Sequence, residues 1–96
     1  MYAVIIKPLA IKVITALDRK RQRQVIQKIE SLAGDPRPRH CRQLNSDKQV
    51  YRIRSGDFRI IYQVRDRQLI ILVAKVGDRR DVYRNLGEIV KNLQKL

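Results

Sequence analysis

Hydrophobic and polar positions alternate with period two over three consecutive stretches of the chain, Val50 to Arg54, Phe58 to Arg65 and Gln68 to Val76. The pattern predicts an antiparallel meander turning at Ser55-Gly56-Asp57 and at Asp66-Arg67. Gly56 tolerates the positive φ of a tight hairpin, and Asp57 and Asp66 are favourable turn residues. With Gly56-Asp57 as a two-residue loop, Arg54 faces Arg59 and Arg52 faces Ile61. With Asp66-Arg67 as the next loop, Arg59 faces Ala74, whose small side chain leaves space beside a guanidinium. One face then reads Tyr51, Ile53, Phe58, Ile60, Tyr62, Val64, Leu69, Ile71 and Val73 and is the expected core. Arginines stack on the other. Like charges directly across a sheet cost up to about 1 kcal/mol, so this face needs a compensating anion; a solvated open sheet face is the plain alternative.

The period changes on either side of the meander. Tyr2 to Ile6 is a short apolar run that predicts a buried first strand. Pro8 suits the first turn of a helix carrying Ala10, Val13, Ile14 and Leu17. A second helix spans about Asp18 to Ala33, with Val25, Ile26, Ile29, Leu32 and Ala33 on one side and Arg19, Lys20, Arg21, Arg23 and Lys28 on the other; Gly34 and Asp35-Pro36 end it. The two should form a hairpin that lays its apolar stripe on the core face. Asp35 to Lys48 reads as a basic connector with Arg37, Arg39, Arg42 and one buried anchor, Leu44. After Gly77 come a charged tail, Asp78 to Arg84, and a last amphipathic helix marked by Leu86, Ile89, Val90, Leu93 and Leu96. The expected fold is α+β, in the order βααβββα, as one domain over residues 1–96.

Charge narrows the possible partners. Against 9 acidic residues the chain has 22 basic ones, a net charge of +13, which points to nucleic acid, an anionic membrane or an acidic protein, and to salt-dependent binding. Membrane is the weakest of the three, because the arginines fall on a sheet and no basic helix with bulky aromatics is present. Lys7, Pro8 and Lys12 break the apolar N-terminal stretch and no cleavage pattern follows, so a cytoplasmic protein is expected. One cysteine, Cys41, and one histidine, His40, provide neither a disulfide framework nor a conventional zinc site. No metal or other cofactor is expected.

Most catalytic sets are missing. The chain has no paired carboxylates, Gly-rich phosphate loop or nucleophile–base–orienter triad. What remains is a basic cluster with a phenol: Arg52, Arg54 and Arg59 from two strands, and Arg79, Arg80 and Tyr83 from the segment leaving the third. Such a set suffices to cut RNA without a metal. RNA carries its own nucleophile in the 2′-hydroxyl; the protein need only align it, help move its proton and neutralise charge on the phosphate. Guanidiniums stay charged and present a fork to phosphate oxygens. Tyr83 would serve as proton acceptor or stack on a base, and covering the sheet edge is its structural alternative.

At these residues the chain resembles the RelE family of bacterial toxins, within the wider RelE/ParE superfamily. The motifs are Lys7-Pro8-Leu9-Ala10, the Asp35-Pro36 break, the run from Tyr51 to Tyr62, and Val76 to Arg84. The resemblance implies a small toxin that enters the ribosomal A site and cleaves mRNA there. It implies a cognate antitoxin that wraps the toxin, with operator DNA bound only through the pair. By motif it carries the catalytic roles onto Arg52, Arg54, Arg59, Arg79 and Tyr83. Two positions depart from the family: arginines stand at 52 and 54 where the best-known member has lysines, and Asp78 stands where many relatives have histidine. The general acid and base stay open.

Contacts with ribosomal RNA and mRNA are expected from Arg19, Lys20, Arg21, Arg23, Arg37, Arg39, Arg42, Arg80 and Arg84, and the free toxin is expected to be monomeric. The antitoxin should be an acidic segment along the helical hairpin and the sheet, drawn by Ile61, Ile70, Leu72 and Val76 left open on the arginine face. Two rival readings are a ParE-like inhibitor of DNA gyrase and a basic nucleic-acid-binding domain without chemistry.

Overall fold

In the computed structural model, which describes residues 1–94, the meander is present and gains one strand on each side. The order is β1 (Ala3–Ile6), α1 (Pro8–Thr15), α2 (Arg19–Ser31), β2 (Arg42–Asn45), β3 (Val50–Ser55), β4 (Phe58–Arg65), β5 (Ile70–Asp78), a 3-10 turn (Asp81–Tyr83) and α3 (Leu86–Asn92). The strands form one sheet, β1-β5-β4-β3-β2. β1 runs parallel to β5 and the other neighbours are antiparallel, so this α+β sheet is mixed rather than a pure meander.

The helices form where the apolar spacing places them. Pro8 opens α1, where its missing N–H costs nothing. At α2 the Asp18 carboxylate accepts the Arg21 backbone N–H at 2.8 Å, and Val25, Ile29 and Leu32 bury a stripe at helical spacing. They pack with Ala10 and Ile14 against Tyr51, Ile53, Ile60, Tyr62, Val64, Ile71 and Val73. Each buried Val, Ile or Leu contributes about 1.5–3 kcal/mol, far more than helix propensity supplies.

A second, smaller core lies on the opposite face. Val50, Ile61, Leu72 and Ala74 pack there against Val82 and Leu93, with Leu44, Ile70, Leu86, Ile89 and Val90 around them. Gln63, buried among them, donates from Nε2 to the carbonyls of Lys48 and Gln94 at 3.0 and 2.8 Å. Lys48 Nζ caps the end of α3 through the carbonyls of Val90 and Lys91.

Several expectations are corrected. The connector contains β2, which pairs Arg42 with Arg52; Leu44 is its half-buried anchor. β1 is an edge strand rather than a buried one, and Ile5 on its outer side is 47% exposed. The first hairpin has the expected register, with Arg54 opposite Arg59 and Arg52 opposite Ile61, and Gly56 at φ 60°. The second does not. Its turn runs from Asp66 to Leu69, Leu69 adopts φ 55° and is 51% exposed instead of joining the core, and a bulge between Ile61 and Tyr62 shifts the pairing. Gly77, not Ala74, therefore faces Arg59. The arginine face is also closed where an open apolar surface was expected, because Ile61, Ile70 and Leu72 lie in the second core and Val76 belongs to the first. Leu96 lies outside the described residues.

Candidate active site

Sheet pairing generates two basic rows on the face that carries the 3-10 turn. One runs Arg42, Arg52, Ile61, Lys75 and the next Arg54, Arg59, Gly77. Alternation along β3 puts Arg52 and Arg54 on the same side. Arg59 folds back on its own hairpin, its Nη1 donating to the carbonyls of Gly56 and Phe58 at 3.2 and 3.1 Å. Arg54 is exposed beside it.

The segment after β5 is brought over these rows by short backbone links. Arg79 N–H donates to the Asp57 carbonyl at 3.0 Å, which ties it to the β3–β4 turn. Asp78 accepts the N–H groups of Arg80 and Asp81 at 2.9 and 2.7 Å, and these bonds hold its carboxyl below the ordinary carboxylate range. Val82 is fully buried, and a Cβ on Gly77 would come within 3.3 Å of the Val82 backbone, so the turn sits directly on the strand. Tyr83, next in sequence, is 38% exposed, and its Oη accepts a hydrogen bond from Arg52 Nη1 at 3.2 Å.

Arg52 has a second distinctive feature. Its Nε is buried with no acceptor among the described residues. A buried donor without a partner costs about 1–3 kcal/mol. Among the described residues the ion pairs are Arg21 with Asp18, Arg37 with Asp66 and Arg84 with Asp81, so no carboxylate neutralises Arg52, Arg54, Arg59 or Arg79. A phosphate seated on this face would supply the missing charge.

The remaining basic residues separate into groups. Arg19, Lys20, Arg21 and Arg23 are exposed on α2, across the sheet from Tyr83. Arg19 and Arg23 rim an open groove of about 700 Å³ floored by Ile6, Ile11, Ile14 and Ile26. Arg39, Arg42 and Arg80 are exposed, and Arg84 lies 3.6 Å from Asp81. Arg37 is committed internally. It donates to both Asp66 oxygens at 3.1 and 2.8 Å, to Tyr51 Oη at 2.8 Å and to Gln49 Oε1 at 3.0 Å. Tyr2 Oη donates to the same carboxylate at 2.6 Å, and the bonds from Arg37 and Tyr2 depress Asp66 to about 2.

Sequence reasoning passed over Lys75 and the backbone of Asp57. Lys75 breaks the apolar run of β5 and was the available signal. The Asp57 carbonyl had none, since backbone acceptors leave no trace in residue type.

The chain is similar to known proteins over nearly its whole length. Residues 4–83 match the family described as ParE toxin of type II toxin-antitoxin system, parDE. A RelE-like toxin protein of Escherichia coli is 36% identical over 91 residues, covering 91% of this chain and 95% of that protein. Among solved structures, a mutant of the E. coli toxin RelE in the free state superposes with a TM-score of 0.78 at 25% identity, over 97% of this chain and 98% of that one. The RelE of an archaeal RelE–RelB complex from Pyrococcus horikoshii OT3 does so with 0.75 at 28% identity, over 81% and 94%. Family match, curated relative and shared architecture agree: the chain belongs to the RelE-like toxins of the RelE/ParE superfamily of type II toxin–antitoxin systems.

Proposed function

We propose that this toxin is a ribosome-dependent endoribonuclease that cuts mRNA in the A site by metal-independent attack of the 2′-hydroxyl. The observation that carries the reading is the Arg52–Tyr83 contact, where among the described residues no carboxylate pairs with Arg52 and its Nε has no acceptor. Arg52, Arg54, Arg59 and Arg79 clamp the scissile phosphate and offset the charge that grows on it. The 2′-oxygen bonds to phosphorus as its proton departs, the bond to the 5′-oxygen breaks, and that oxygen takes up a proton. The products are a 2′,3′-cyclic phosphate and a 5′-hydroxyl. Tyr83 handles one of the two proton transfers. Exposed arginines and lysines on α2, the connector and the segment after β5 bind ribosomal RNA, the role expected of a cytoplasmic toxin.

An acidic cognate antitoxin is the partner we propose. The related archaeal and E. coli RelE toxins have been solved with RelB. On this chain the groove between α1 and α2, apolar in its floor and basic at its rim, offers an acidic amphipathic segment the surface it needs.

Purified translation mixtures test the reading. mRNA should be cut in the A site with cyclic phosphate ends, and in Arg79→Ala and Tyr83→Phe the cutting should fall to a small but measurable residual rate while the fold is kept. Undiminished cleavage in both variants would remove the site. Because the matched family is named for ParE, DNA gyrase inhibition is the second reading, and supercoiling assays should be run in parallel. Blocked supercoiling with intact mRNA would establish that reading.

A further inference from the structure

Lys75 is a cation on a face already crowded with cations, and its ammonium is turned to the backbone. It stands opposite Ile61, in the row that contains Arg42 and Arg52. Its Nζ donates to the carbonyls of Asp81 and Arg84 at 3.1 and 2.6 Å. Those carbonyls belong to the first residue of the 3-10 turn and to the residue that closes it, and Tyr83 lies between them.

A three-residue 3-10 turn has little hold on its own shape. Here one internal bond, Arg84 N–H to Asp81 O at 3.0 Å, defines it. Three outside attachments fix it to the sheet. Asp78 receives its leading N–H groups, Val82 sits on Gly77, and Lys75 draws its first and closing carbonyls together. The first two act ahead of Tyr83. Of these three attachments only the ammonium grips the chain on both sides of the phenol, and it adds a positive charge to a row that already contains Arg42 and Arg52.

We propose that Lys75 is a positioning residue that holds the Asp81–Arg84 backbone so that Tyr83 Oη stays against Arg52 Nη1. The kinetic part of the proposal rests on the nuclease reading; the geometric part does not.

Tyrosine rings labelled with carbon-13 report the geometry, with the Tyr83 signals identified in Tyr83→Phe. In Lys75→Met the Tyr83 signals should shift or broaden while those of Tyr51 and Tyr62 stay in place. Cleavage by Lys75→Met should fall about 10²-fold in kcat, as expected for a misplaced reacting group, with KM for ribosomes unchanged. Lys75→Arg, which keeps charge and donors, should recover part of the rate. In a Tyr83→Phe background Lys75→Met should cause no further loss. Unmoved Tyr83 signals would overturn the proposal. Shifts that spread to Tyr51 and Tyr62 would do so too, since Lys75 would then be a general stabiliser, as would equal rate losses in both backgrounds. Should the wild-type chain leave mRNA intact, the nuclease reading fails and the ring signals alone decide on Lys75.

Discussion

Two arginine–tyrosine pairs sit on this sheet and have opposite surroundings. Arg37 donates to Tyr51 beside the β4–β5 turn, with its guanidinium 5.2 Å above the Tyr51 ring and its charge met by Asp66. Arg52 donates to Tyr83 near the other end of the sheet, with no carboxylate among the described residues and one nitrogen unanswered. The chemical partners are the same; the difference is whether the protein supplies the anion itself. Where it does, the arginine fastens the connector to a turn. Where it does not, the charge is left open to an anion from outside the chain.

The sharpest way to break this contrast is to exchange the consequences of mutation. Arg52→Ala is expected to lower mRNA cleavage on the order of 10²–10³-fold, as for loss of a preorganised charge donor. Its urea midpoint should move by no more than about 0.5 kcal/mol in equivalent stability. Single-turnover cleavage and denaturant titration of the same preparation measure both. A large stability loss would show that Arg52 is structural after all.

Arg37→Met should do the reverse. Cleavage at saturating ribosome is expected to stay within about twofold, while stability drops by about 1 kcal/mol, because the pair is partly exposed but shares its carboxylate with Tyr2. Urea unfolding at pH 7 reads the loss.

Acid titration sharpens the contrast further. Asp66 is lowered from 3.8 to about 2 by the bonds from Arg37 and Tyr2, so its folded form binds its proton less readily than the unfolded chain. Its stabilisation is present above pH 3.8 and is lost as pH falls toward about 2. Asp66→Asn should flatten the stability curve in that window. At the alkaline end, the Tyr2 phenol is raised above 10.0 by donating to Asp66, so its contribution persists below pH 10.0 and disappears above it. Tyr2→Phe should remove that alkaline limb.

The smallest expected effect concerns Arg42, opposite Arg52 at the sheet edge. If it touches one phosphate of a single strand, Arg42→Ala should reduce the slope of log affinity against log salt by about 0.7. Titrating a short uncleavable RNA at several salt concentrations measures it.

What was legible in the sequence follows from local chemistry. Gly56 has one sterically easy role between two alternating strands, so the pairing of Arg54 with Arg59 could be derived before any coordinates. The next hairpin could not. Leu69 takes a left-handed conformation that nothing in a leucine announces, and the bulge at Ile61/Tyr62 has no marker residue such as glycine. β2 was hidden because Arg-Gln-Leu-Asn lacks β-branched residues and pairs only along one edge. Within the candidate site, sequence named Arg52 and Tyr83, which the fold brings within 3.2 Å of each other. It gave no means of telling Arg37 from Arg52, because the carboxylate that sets them apart is contributed by the distant Asp66.

The parallel pairing of β1 with β5 also governs the order in which the molecule can assemble. Ala3 must wait for Ile70, and the Tyr2 phenol for Asp66, before the first strand finds its neighbour. Contacts so far apart along the chain carry a heavy loop-closure cost and fold slowly. A nascent polypeptide can build its helices and first hairpin early, whereas the phenol at position 83 meets Arg52 only after β5 and the turn behind it have been made.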